Sequence, residues 1–514
     1  MATISDNNRR IAKNSVFLYF RMFLGMLVGL YTSRVIINAL GVEDYGIFSV
    51  VAGTVVMFEF LQSAMRGATQ RYLTFELGRG NRERLNMVFM TSMYIHLIIA
   101  GIVILLAETV GLWLVLHKLV IPAERMTAAL WCYQLAIFGS ALAVVNFPYN
   151  AAIIAHEHMH YFAYLSILEQ VLKLLICYML YVGGFDRLIL YSCLNIGVTI
   201  LLMIIRVIYS RKHFSETHFR KLFDKSLLKE MGSFLSWNFV GHTANVIFSQ
   251  GITIMLNMFF GPVVNAAEKI ASTVNGHAQQ FSGGFLSAVN PQITKTYAQH
   301  DLAEHHKLIY RSSKFSNYLI FIAVLPLMLE TQPIFVAWLK TVPENTAAFA
   351  QIALLIGLMS AMFGPIATAN SATGKIKLYH LMHFVILVLG VGIIYAVLRL
   401  TKDPVLAYWV QLVVMVVTFT ARTIYVSRQI KMPLREFLAK VIVPCLLVDA
   451  VACIVPVALR LTLPQNVWTI LLIIVVSVVS VCAAAYWLGL TNSERIFVNE
   501  TLRNRVGKVF RTQK

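Results

Sequence analysis

Long apolar runs alternate with short polar ones along the whole chain, and their lengths predict membrane-crossing helices. A helix needs about 20 apolar residues to span the hydrocarbon core, and on that scale about fourteen segments emerge. The first six run approximately 15–37, 45–65, 87–114, 127–147, 161–182 and 188–209. A basic, amphipathic stretch, Ser210 to Gly232, separates them from six more at approximately 233–259, 266–289, 314–338, 347–370, 379–398 and 405–426. A second basic connector, Ser427 to Lys440, leads to a final pair near 441–461 and 467–490 and a polar, basic tail. The expected fold is an all-α polytopic membrane protein.

The polar punctuation repeats. Leu40-Gly41-Val42-Glu43-Asp44-Tyr45-Gly46 returns loosely as Phe260-Gly261-Pro262 through Ala266-Ala267-Glu268. Ser63-Ala64 before Arg71 matches Ser287-Ala288 before Lys295, and Phe147-Pro148-Tyr149-Asn150 answers to Gly364-Pro365-Ile366-Ala367. The matches keep one order and one period. Six crossings return the chain to its starting side, so the two copies are expected to be parallel repeats about an axis along the membrane normal, as in transporters whose site lies between halves. The expected organisation is an N-terminal six-helix lobe (1–209), a cytoplasmic connector (210–232), a C-terminal six-helix lobe (233–426), and two appended helices with a basic tail (427–514).

Charge orients this arrangement. The chain has 514 residues, 58% of them hydrophobic and only 13% charged, with a net charge of +19. Soluble domains carry roughly a quarter charged residues. With the N-terminus placed in the cytoplasm, about 30 of the 43 Lys and Arg fall in inside loops and only 8 in outside loops. The positive-inside rule then puts both termini in the cytoplasm. The basic charge is topological: anionic membrane lipid is the expected contact and nucleic acid is not. The six cysteines lie in apolar runs without paired or metal-ligand spacing, which suits helix packing. Outer loops are short, and there is no phosphate-cradling Gly-rich loop, so neither an externally acting enzyme nor a chain that hydrolyses ATP itself is expected.

Ionisable and polar groups inside the bilayer are the candidate site, because burying them there is costly. Arg21 shares a stripe with Gly25, Val28 and Thr32; its planar fork suits an anion such as a phosphate. Arg34 lies elsewhere around the same segment, and both arginines are alternatively read as snorkelling to head groups. Glu59, on a face with Ser63 and Arg66, is a partner for such an arginine or a coupling-ion ligand. In the second copy Asn238, Gly241, His242, Asn245 and Ser249 fall within one arc. Glu268, Ser272, Asn275, Gln279 and Ser282 form a stripe over four turns. Lipid would not tolerate that stripe, so it lines a cavity suited to sugar hydroxyls or glues helices together. Glu169 and Lys173 read as a local ion pair. Glu108 and Glu330 are expected near the outer interface, and Asp449 shows no partner. His156-Glu157-His158-Met159-His160 reads as a solvated loop rather than a metal site.

Segment count, short outer loops, Leu40-Gly41 through Tyr45-Gly46, Arg66-Gly67-Ala68-Thr69-Gln70-Arg71-Tyr72 and Pro148 through Glu157 together carry a resemblance. Over nearly its whole length the chain resembles the polysaccharide-exporter (Wzx-type) branch of the multidrug/oligosaccharidyl-lipid/polysaccharide (MOP) superfamily. The resemblance implies two MATE-like V-shaped lobes with alternating access in a bacterial plasma membrane. It implies as substrate an undecaprenyl-pyrophosphate-linked oligosaccharide (an O-antigen or capsule repeat unit), flipped from the inner to the outer leaflet. A polysaccharide polymerase and glycosyltransferases would be its protein partners. No cofactor is implied beyond H+ or Na+ as coupling ion. Many multidrug members of the superfamily carry an acidic residue in the first segment; here it holds arginines, which would repel a cationic drug and attract a pyrophosphate. A cation-coupled small-molecule exporter and a lipid II flippase remain the alternatives.

Overall fold

The computed structural model of the chain describes residues 25, 28–59, 69, 72–73, 76–77, 81–156, 158–182, 184–218, 224, 226–228, 236–339, 341–492 and 494–495, without the side chains at 59, 159–160, 162–163, 166, 236–242, 287–288, 291 and 298. Arg21, Ser63, Arg66, Arg71, Glu157, much of the first basic connector and the tail from 496 lie outside this set. Among the described residues the regular structure is helical throughout. In chain order the helices are α1 (Val28–Leu40), α2 (Val42–Val56), α3 (Arg82–His117), α4 (Met126–Ala155), α5 (Met159–Met179), α6 (Arg187–His213), α7 (Ser236–Phe260) and α8 (Pro262–Ala298). They continue as α9 (Leu302–Leu329), α10 (Thr331–Trp338), α11 (Thr346–Thr373), α12 (Lys377–Thr401), α13 (Pro404–Gln429), α14 (Leu434–Thr462) and α15 (Val467–Gly489).

Ten of these helices are long and apolar enough to cross a membrane, or eleven if the bent pair α1–α2 counts as one span. α8 is outside that set although it has 37 residues, because its polar stripe lowers its hydropathy. Large side chains such as Ile98, Leu105, Leu389, Ile454 and Val475 stand exposed on the spans, as lipid-facing positions do. The expected segment 314–338 is broken in two, with α9 ending at Leu329 and α10 starting at Thr331.

Two turns show how local sequence shapes this topology. α1 and α2 meet at 113° across Gly41, whose φ is +85°. α7 and α8 meet at Gly261, whose φ is +80°. Each glycine N–H bonds back to a carbonyl four residues earlier, Ile37 and Asn257 respectively, at 2.8 Å. A Cβ would strain both turns. They stand at equivalent places in the repeated sequence, as do Pro148 inside α4 and Pro365 inside α11.

Packing divides the chain into two compact units. Unit 1 takes residues 1–270, 338–349 and 380–414, and unit 2 takes 271–337, 350–379 and 415–514. The core of unit 1 is aliphatic and aromatic, with Ile47, Val50, Phe89, Val103, Tyr133 and Val144 fully or almost fully buried. Within α3 a π turn at Ala107–Gly111 frees a carbonyl, and the buried Tyr133 hydroxyl donates to Ala107 O at 2.6 Å. At one end of unit 1, Arg125 forks onto Asp44 (2.8 and 2.6 Å) and Asp186 (2.5 and 3.2 Å), tying the starts of α2, α4 and α6. Burial pushes the Asp186 carboxyl up, but the Arg125 hydrogen bond and the N–H groups of Ile189 and Leu188 outweigh it and hold the carboxyl below its usual range.

In unit 2 the appended pair α14–α15 is fastened to α9 at three levels. Lys314 Nζ meets Glu494 at 2.9 Å, Asn317 donates to both carboxylate oxygens of Asp449 at 3.1 Å, and Arg460 Nε lies 2.9 Å from Glu330. Asp449 therefore has the partner that its sequence surroundings did not reveal. Glu330, next to the end of its span, is buried in an ion pair with Arg460.

Candidate functional site

The described candidates divide between the two units. In unit 1, Arg34 is half-buried on α1 and makes no ion pair among the described residues. Glu59 follows α2, and Asn238 and His242 lie in the first turns of α7; their side chains fall outside the described set. Asn245 is on an exposed face of α7. Glu268 enters a polar junction. It hydrogen-bonds Thr253 of α7 and interacts electrostatically with Tyr45 of α2 and Tyr408 of α13, both of which are buried.

That junction joins elements from both halves of the sequence. Gly46 of α2 lies so close to the Pro262 carbonyl that any Cβ there would overlap it. Asn257 of α7 accepts from the Val120 N–H at 2.7 Å and donates back to the Val120 carbonyl at 3.5 Å. Trp338 donates its indole N–H to Leu30 O at 2.7 Å.

A second polar feature of unit 1 was missed by the sequence reading. α4, α5 and α6 enclose a cavity of about 260 Å³ lined by Asn146, Asn150, Glu169, Thr199 and Arg206. Arg206 Nε and the Asn146 and Asn150 carbonyl oxygens are buried and lack hydrogen-bond partners among the described residues. Glu169 pairs with Lys173 at 2.7 Å, as its spacing predicts, and also interacts with Arg206. A buried guanidinium beside amides can hold an anionic oxygen. Arg206 stood alone in an apolar run, and only packing brings Asn146 and Asn150 to it.

In unit 2 the stripe of α8 faces protein in part. Asn275 packs its side-chain oxygen against Gly357 of α11, with Gln279 beside it. Farther along, Thr368 of α11 donates to Asn290 of α8 at 3.0 Å. Ser272 is exposed. The histidine stretch departs from the solvated loop expected: His156 meets Glu216 at 2.5 Å and stacks on Phe214, while His158 reaches the Tyr209 hydroxyl at 2.7 Å. No cluster of potential metal ligands occurs among the described residues.

No family model matches the chain, and no curated protein does. Solved structures do match. The lipid II flippase MurJ, in an inward closed conformation, aligns with TM-score 0.71 and 11% identity over 95% of this chain and 100% of its own. An inward-facing multidrug resistance MATE family transporter of the MOP superfamily aligns with TM-score 0.64 and 14% identity, over 79% of this chain and 94% of its own. The chain shares the fold of these solved transporters. The MATE multidrug transporter DinF-BH gives TM-score 0.60 at 15% identity, over 80% of this chain and 94% of its own. Its ten apolar helices, with these neighbours, make the chain a multi-pass membrane protein. The polar cavity of α4–α6 and the Glu268 junction are features of its own residues.

Proposed function

We propose that the chain is a flippase that carries an undecaprenyl-pyrophosphate-linked oligosaccharide from the inner to the outer leaflet by alternating access. The coverage of the structural matches carries this reading. MurJ accounts for 95% of the chain, whereas the MATE multidrug transporter accounts for 79%. The lipid II flippase is therefore a template for nearly the whole length, and a lipid II flippase stays beside the small-molecule exporter as an alternative. In this reading two parallel six-helix copies move about one substrate path, and the appended pair travels with α9. The matched glycine turns at Gly41 and Gly261 support the duplication.

Arg21, Arg34 and the half-buried Arg206 hold the pyrophosphate, with Glu59 balancing an arginine. The polar faces of α7 and α8, from Asn238, His242 and Asn245 to Ser272, Asn275 and Gln279, meet the sugars. Glu268 takes the coupling H+ or Na+. The O-antigen or capsule repeat unit, the bacterial plasma membrane, cytoplasmic termini, and a polymerase and glycosyltransferases as partners belong to the same proposal. One observation favours a second reading, a cation-coupled exporter of small molecules: the Glu268 carboxyl is held at the α2–α7–α8 junction by Thr253 and near two tyrosines.

Translocation of a fluorescent prenyl-pyrophosphate oligosaccharide in proteoliposomes separates the readings. Arg21→Ala and Arg206→Ala should each slow it at least about tenfold, a loss of roughly 1.4 kcal/mol, while Arg206→Lys retains part of the rate. Wild-type translocation by both alanine variants, or drug resistance that depends on Glu268, would reject the flippase.

A further inference from the structure

In unit 2 a cavity of about 780 Å³ opens where three spans reach one face. α9 begins there at Leu302, α14 begins at Leu434, and α15 ends at Gly489. The Lys/Arg distribution assigns that face to the cytoplasm, and span ends mark the depth at which hydrocarbon gives way to head groups. The cavity is thus at head-group level.

Its lining carries more positive than negative charge. Lys307, Arg311, Lys314 and Lys440 line it, against the carboxylates of Glu436 and Glu494. The carboxylates are already engaged: Glu436 by Lys440 at 2.5 Å, and Glu494 by Lys314 at 2.9 Å and Arg311 Nε at 3.4 Å. Lys314 also donates to the Gly489 carbonyl at 3.1 Å, at the end of a π turn that closes α15. Tyr310 contributes a buried hydroxyl with no hydrogen-bond partner among the described residues. Lys440 lies 5.7 Å from the centre of the Tyr310 ring. Pro444, Leu488 and Leu490 supply apolar wall.

The geometry points to a binding site in this cavity for the phosphate of an anionic membrane phospholipid, at the foot of the appended helix pair. Arg311 and the two exposed lysines, Lys307 and Lys440, meet the phosphate, and the Tyr310 hydroxyl donates to one of its oxygens. Pro444 and Leu488 take the glycerol and the first acyl carbons. The excess positive charge disfavours a zwitterionic head group, whose ammonium would be repelled. Basic pockets between spans on the cytoplasmic side suit anionic head groups for these reasons. The lipid bridges α9 to α14 and α15, so it should stabilise the fastening of the appended pair whatever the transporter carries.

The test uses the full-length protein in phosphatidylcholine nanodiscs, with the unfolding midpoint followed as phosphatidylglycerol replaces phosphatidylcholine. The wild-type midpoint should rise. Lys307→Gln/Lys440→Gln, whose side chains are exposed, should keep its midpoint in phosphatidylcholine alone but need about tenfold more phosphatidylglycerol for the same rise. Tyr310→Phe should weaken the response less. A control, Lys375→Gln/Lys377→Gln, in another loop on that face, should respond as the wild type does. An equal response in the site variant, or an equal loss in the control, would overturn the site in favour of diffuse surface charge. A rise produced by glycerol 3-phosphate in pure phosphatidylcholine would show a soluble phosphate ligand and overturn the lipid assignment. If the site variant is unstable from the start, native mass spectrometry of the wild type decides: retention of phosphatidylglycerol over phosphatidylcholine, lost in Arg311→Lys, supports the site, and no preference removes it.

Discussion

The junction of α2 with α7 and α8 and the fastening of α14–α15 to α9 are both helix contacts inside a membrane protein, yet they are built from opposite materials. The first rests on backbone approach and, apart from Glu268 on Thr253, on neutral hydrogen bonds: Gly46 against the Pro262 carbonyl and Asn257 with Val120. The second places charge at three levels, with Lys314–Glu494, Asn317–Asp449 and Arg460–Glu330. A neutral hydrogen bond contributes about 0.5–1.5 kcal/mol net, whereas removing one partner of a buried ion pair costs about 3–5 kcal/mol. Opening the first contact exposes groups that water satisfies cheaply. Opening the second strands charges in a bilayer. In the proposed alternating-access cycle, the first contact is the one that would part and re-form while the appended pair stays with its neighbour.

Three substitutions probe that contrast. The largest expected effect is at Glu494→Gln, which leaves the buried Lys314 facing a neutral group and should lower unfolding free energy by about 3–5 kcal/mol in thermal or denaturant unfolding. pH provides a milder version of the same change. Burial raises the Glu494 carboxyl, but the Thr491 N–H and Lys314 outweigh it and leave the folded-state pKa lowered. Its stabilisation is therefore fully present above the unfolded carboxyl value of about 4.3. It is lost as pH falls through the lower folded value, and Glu494→Gln should flatten that part of the stability profile. An unchanged profile would mean that the pair does not hold α15.

Gly46→Ala acts at the other contact. A methyl at that position cannot coexist with the Pro262 carbonyl, so α2 and α8 must separate there. Translocation should drop about tenfold, equivalent to roughly 1.4 kcal/mol, with little change in unfolding midpoint. Faster hydrogen exchange at the Val120 amide would show that the separation has spread along the junction. The smallest effect belongs to Asn257→Ala, at about 1 kcal/mol, read as faster Val120 exchange with transport retained. If Asn257→Ala were as damaging as Glu494→Gln, the distinction between a parting contact and a permanent one would fail.

Much of this was legible along the chain, because hydropathy and special backbone positions are local properties. Gly41 and Gly261 each announced a turn between helices. Glu169 and Lys173 announced their own pair through i,i+4 spacing. The polar stripe of α8 was visible too, although its division between packing (Asn275 on Gly357) and exposure (Ser272) was not. The partners of Asp449 and Glu330 were not visible along the chain, because Asn317 and Arg460 lie more than a hundred residues from them. His156 and His158 looked solvated for the same reason: Glu216, Tyr209 and Phe214 come from the end of α6 and just beyond it.

The sequence alone determined that this is a helical membrane protein with repeated turn signals, since the bilayer imposes length and polarity on each segment separately. Tertiary structure alone decided which buried charges have partners, that Arg206 meets Asn146 and Asn150 in one cavity, and that Gly46 touches the Pro262 carbonyl. Those outcomes depend on distances between residues far apart in the chain, and helix periodicity carries no information about which faces will meet.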